Sequence, residues 1–99
     1  MLGVFNSKLE SMRYAVYADL SRQLTSQERS SLFESLEASV PGSGCVGLQK
    51  GPNDEVYFSL EALSETAANA QAEHYMGIIL HQAALDIEYT LTLQRMNHV

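Results

Sequence analysis

From Ser59 to Met96 the chain contains no proline and a single glycine, Gly77. So long a stretch without a breaker, rich in alanine and leucine, predicts helix over about 60–96, in one piece or in two with a kink near Gly77. Ser59 or Ser64 can cap its start. At 100° per residue the apolar side chains Leu60, Leu63, Ala67, Ala70, Gly77, Ile78, Leu80, Ala84, Leu85, Ile87 and Leu91 form one wide arc.

Two rows inside that arc mark it as a contact surface. Ala70, Gly77 and Ala84 recur every seven residues, and small side chains stacked along one line let a second helix come close. Alanine is also simply a good helix former, but a mid-helix glycine costs about 1 kcal/mol relative to alanine and usually has a packing reason. Gly77 is therefore expected at a close helix crossing. His74, His81 and Glu88 form a polar row with the same spacing. Three roles are open to it: hydrogen-bonded positions that fix the register of helix pairing, contacts to another protein, or metal ligands. Ligands seven residues apart lie about 10.5 Å apart along a helix, too far for one ion without help from another element. The candidate interface is Ala70, His74, Gly77, Ile78, Leu80, His81, Ala84, Leu85, Ile87, Glu88 and Leu91, with no metal and no cofactor.

Upstream, Ser7-Lys8-Leu9-Glu10 and Thr25-Ser26-Gln27-Glu28 each have the form of a capping box. Leu9, Met12, Val16, Leu20 and Leu24 follow the first at steps of three and four, predicting a helix over about 8–23. Leu32, Phe33, Leu36 and Val40 follow the second, predicting a helix over about 26–39 that Pro41-Gly42 ends. Residues 41–58 read as a connection. Within it Cys45-Val46-Gly47-Leu48 and Val56-Tyr57-Phe58 flank a turn-forming segment, so a short β-hairpin at 45–58 is open. The expected fold is all-α: a single domain over 1–99 with two short N-terminal helices and a long amphipathic C-terminal helix, assembled as a helical-bundle dimer.

The chain of 99 residues with 45% hydrophobic and 18% charged residues is that of a small globular domain, a size at which a second subunit adds useful buried surface. Six Lys and Arg against twelve Asp and Glu give a net charge of −6, which disfavours nucleic acid and anionic membranes. Seven of the acids fall between Gly51 and Val99, where Arg95 is the only base. A single cysteine, Cys45, cannot form a disulfide within the chain. No apolar run approaches the roughly 20 residues of a membrane span, and no leader is expected, so the cytoplasm is the expected compartment.

No motif speaks for catalysis. Cys45 has no histidine placed near it by a recognised pattern, the glycines around Gly42 match neither a dinucleotide fingerprint nor a phosphate loop, and the paired carboxylates read as solvated charge. The segments Leu32-Phe33-Glu34-Ser35-Leu36, Cys45 with its glycines, and Tyr57 ahead of Leu60-Glu61-Ala62 resemble the TraM type of bacterial quorum-sensing anti-activator. That resemblance implies a small helical dimer that sequesters a LuxR-type regulator, and no functional residue is carried over from it. The expected function is a small non-enzymatic protein-binding regulator, such as an anti-activator, adaptor or immunity-type protein. It would be a homodimer with a heterologous protein partner. The alternative is an assembly subunit whose apolar surface is consumed by its own oligomer.

Overall fold

A computed structural model describes residues 11–42, 44–48 and 51–96. The chain runs through strand β1 (Met12–Leu20), helix α1 (Ser26–Ser39), strands β2 (Cys45–Leu48) and β3 (Asp54–Ala62), helix α2 (Glu65–Gln82) and strand β4 (Tyr89–Arg95). The strands form one antiparallel sheet in the order β2-β3-β1-β4. Insertion of β3 between β1 and β2 makes this a split βαβ arrangement. The fold is thus mixed α/β, not all-α, and the helical-bundle dimer falls with the expectation of an all-helical chain.

The helix expected over 8–23 is strand β1. Tyr14, Val16, Ala18 and Leu20 are the buried positions of its helix-side face, with Ala15 buried on the other, and β1 is paired on both sides, to β3 with Val16 opposite Phe58 and to β4 with Val16 opposite Leu93. Two complete ladders leave none of its backbone polar groups to be satisfied by a helix. The first capping box, residues 7–10, lies outside the described residues. The long helix expected over 60–96 is three elements: the end of β3, the 18-residue α2, and β4. Between these strands, α1 occupies the range that the second capping box and Pro41 delimit. The Glu28 amide donates to Thr25 Oγ1 at 3.1 Å, and the Thr25 amide donates to Glu28 Oε1 at 2.9 Å. A hydrogen bond from Arg22, the Thr25 amide and the Arg22 charge together hold the Glu28 carboxyl at about 2.

Both helices lie on one face of the sheet. Val16, Ala18, Leu20, Val56 and Phe58 from the strands meet Leu32 and Leu36 of α1 and Ala68, Ala72, Met76 and Ile79 of α2 in one buried cluster. Each fully buried Leu, Ile or Phe there contributes about 1.5–3 kcal/mol. Ser35 Oγ donates to the Ile79 carbonyl at 2.7 Å and ties the two helices together. Asp54, fully buried at the start of β3, accepts from the Leu24 amide at 2.6 Å and from Arg29 Nε at 2.7 Å. Its burial pushes the pKa up, but the Arg29 hydrogen bond, the Leu24 amide and the Arg29 charge outweigh that and hold it below the usual aspartate value.

Candidate functional site

Beyond Gln82, α2 stops at a left-handed residue. Ala84 has φ +58°, the Leu85 amide donates to the Leu80 carbonyl at 3.0 Å and the Ala84 amide to His81 at 3.1 Å, the paired bonds of a Schellman motif. Glycine usually fills this position because a Cβ costs energy there. The turn sends the chain back as β4, where the alternation Tyr89-Thr90-Leu91-Thr92-Leu93-Gln94 suits a strand with one buried face.

Among the described residues strand β4 is one edge of the sheet, and its outward side can be read from the ladder. The Ser21 amide donates to the Glu88 carbonyl and the Met96 amide to the Arg13 carbonyl, each at 2.9 Å. Hydrogen-bonded pairs alternate along an antiparallel ladder. The even positions Glu88, Thr90, Thr92, Gln94 and Met96 therefore turn their backbone groups to β1, and the odd positions Tyr89, Leu91, Leu93 and Arg95 turn theirs outward. Along the helix-side face of this edge, half-buried Leu91 and Leu93 line a groove of ≈ 440 Å³ with Glu65, Thr66 and Asn69 of α2. At its other end Tyr89 is half-buried, and burial together with the nearby Glu73 charge raises its phenol above the usual range.

The opposite sheet edge, β2, has four residues and contains Gly47, so it offers a much shorter template. The sheet face away from the helices carries Tyr17 and Tyr57 with ring centroids 5.2 Å apart, flanked on the same face by Asp19 and Glu55, while Arg13 and Glu61 pair with each other further along. Acids around those rings suit neither phosphate nor RNA. Among the described residues no group of three or more His, Cys, Asp or Glu side chains is placed to hold a metal ion.

The sequence-derived interface is divided between unrelated places. Ala70, His74, Gly77 and His81 share the exposed outer face of α2 with half-buried Ile78. Leu80 instead belongs to the core. Ala84 is the left-handed cap, half-buried Leu85 and Ile87 lie in the α2–β4 connection, and Glu88 is exposed at the foot of β4, beyond the helix that carries His74 and His81. Only Leu91 stands at the sheet edge. A Cβ built on Gly77 would meet nothing within 4 Å, so among the described residues no other part of the same chain packs closely there. A helical period hides the outward backbone of β4, because the arc it draws runs from Leu60 of β3 through α2 to Leu91 of β4. The period-two pattern from Tyr89 to Gln94 was the signal that could have found it.

Among the described residues no helix is long and apolar enough to cross a membrane. Comparison with protein-family models, with curated proteins and with solved structures finds no match.

Proposed function

We propose that this chain is a small protein-binding protein of regulator or adaptor type, not an enzyme, and that it works by accepting a strand from another polypeptide along β4. One observation carries the reading: β4 is a seven-residue edge without the devices that natural sheets use to blunt one. From Tyr89 to Gln94 it has no charge and no proline, and its register with β1 runs through Tyr89–Arg95 without a bulge. Main-chain pairing would supply affinity, and the groove beside α2 would read alternate side chains of the added strand. Glu65 and Glu73 on the flanking helix favour a strand with a basic or neutral side chain toward the groove. A reducing cytoplasmic setting suits the exposed single thiol of Cys45.

One proline separates the outward edge from the β1 ladder. Leu91→Pro removes only an outward amide, whereas Thr92→Pro removes a bond of the β1 ladder and should unfold the sheet. Tagged wild type and Leu91→Pro are used to capture proteins from the native cell, every recovered chain is identified by mass spectrometry, and circular dichroism confirms that Leu91→Pro is folded. A chain recovered with wild type and lost with Leu91→Pro supports the reading. The same recovered set for both, own copies included, refutes it.

A further inference from the structure

We infer that the strand added at the β4 edge is β4 of a second copy, antiparallel about a two-fold axis at Thr92, which joins two four-stranded sheets into one of eight strands. The inference rests on β4 being the docking edge and names its occupant. Continuity of the sheet fixes the register by parity. Residues opposite each other in an antiparallel pair point to the same face, so apolar helix-side positions must meet helix-side positions, and odd residues must face odd ones. Outward backbone groups also belong to the odd residues, so every odd–odd pair exchanges two hydrogen bonds.

Among the registers that satisfy both conditions, the one centred on Thr92 uses all four outward positions. Tyr89 faces the partner's Arg95, Leu91 faces the partner's Leu93, and the reciprocal pairs complete eight main-chain bonds. Centring on Leu91 pairs only Tyr89, Leu91 and Leu93 within the strand and leaves Arg95 out.

The side chains agree with this register. On the helix side Leu91 and Leu93, only half-buried in one copy, would cover those of the other. At each end the partner's Arg95 would lie over Tyr89, beside the Glu73 charge that already acts on that phenol. Arg95 is exposed and forms no salt bridge among the described residues, so the pairing gives a free cation an aromatic ring and a carboxylate. On the open face Thr90 meets the partner's Gln94, and Thr92 meets the partner's Thr92 as a pair not bridged by main-chain bonds, the arrangement with the closest side chains. The strand is thus self-complementary in charge, size and hydrogen bonding, although the chain as a whole carries −6.

Exposed Thr92 makes the inference testable without disturbing the core. Wild type is expected to sediment as a dimer at micromolar concentration. Thr92→Glu and Thr92→Lys each place like charges opposite one another and should dissociate more readily. An equimolar mixture of the two should re-form a dimer about tenfold tighter than either variant alone, from the swing between repulsive and attractive cross-strand pairs. In a Cys45→Ser background, Thr92→Cys should oxidise to a disulfide-linked dimer, because the two Cα atoms lie within disulfide reach. Thr90→Cys should not, since its copies would be about 14 Å apart. A monomeric wild type, or a dimer indifferent to both charge variants, overturns the inference. If the wild type is monomeric yet Leu91→Pro still loses a captured chain, the occupant is a different protein and the docking edge stands. If neither self-association nor capture responds to changes in β4, both fail.

Discussion

Replacing Asp54 by alanine tests how the fold joins its first loop, α1 and β3. The carboxylate is fully buried and takes hydrogen bonds from the Leu24 amide at 2.6 Å, Arg29 Nε at 2.7 Å and Arg29 Nη2 at 3.2 Å. Leu24 is itself buried, so without Asp54 its amide has no acceptor, which costs about 1–3 kcal/mol. The Arg29 side chain is 31% exposed and can turn to water, so its lost bonds add little. Together these give about 1–3 kcal/mol, a large part of the 5–15 kcal/mol that holds a domain of this size and roughly 5–20 °C in melting temperature. Asp54→Asn keeps an acceptor oxygen for Leu24 and should lose only about 1 kcal/mol. Urea unfolding followed by circular dichroism at pH 7 measures both. An alanine variant within about 0.5 kcal/mol of wild type, or one no worse than Asp54→Asn, would refute the reasoning.

The same aspartate predicts a pH dependence. Its folded-state pKa is lowered, so its stabilisation is present above the unfolded value of about 3.9 and is lost as pH falls through the folded one. The stability gap between wild type and Asp54→Asn should therefore close as pH drops from about 5 to below 4. Glu28, held at about 2, titrates in both proteins and cancels in the difference.

Ala84→Gly should raise stability by about 1 kcal/mol, because glycine occupies φ +58° without a Cβ penalty; a fall in the unfolding midpoint would contradict the Schellman cap. Gly77→Ala should also stabilise, by about 0.5–1 kcal/mol, since the new methyl meets open space, and a loss would reveal a close neighbour on that face. Gly44→Ala should destabilise by about 1–3 kcal/mol, because its Cβ would run into the Tyr57 carbonyl oxygen and lie 2.8 Å from Leu36 Cδ2; an unchanged unfolding midpoint would show that the loop can shift. Thr25→Ala removes the α1 cap and should cost about 1 kcal/mol by chemical denaturation.

Local chemistry determined α1 and the turns. The reciprocal bonds of Thr25 and Glu28 and the stop at Pro41-Gly42 depend on neighbours in sequence, so the sequence alone places them. The pairing of β2 with β3 across Gly51-Pro52-Asn53 was legible as an open hairpin for the same reason. Strands β1 and β4 were not. Met12, Val16 and Leu20 are four apart, and a step of four satisfies a helix and a strand alike, because it is one helical turn and also two strand periods. The intermediate positions Tyr14 and Ala18 decide the matter, and they are buried because β3 and β4, far away in sequence, supply the ladders on either side. Beyond Gln82 the left-handed Ala84 breaks the helix without a glycine or proline to announce it. The turn and the β1 ladder then hold residues 89–95 as strand, as the period-two pattern of Tyr89 to Gln94 favours, with no glycine or proline to mark where the helix ended. Which backbone groups of β4 face outward is settled only by which ones β1 has already taken.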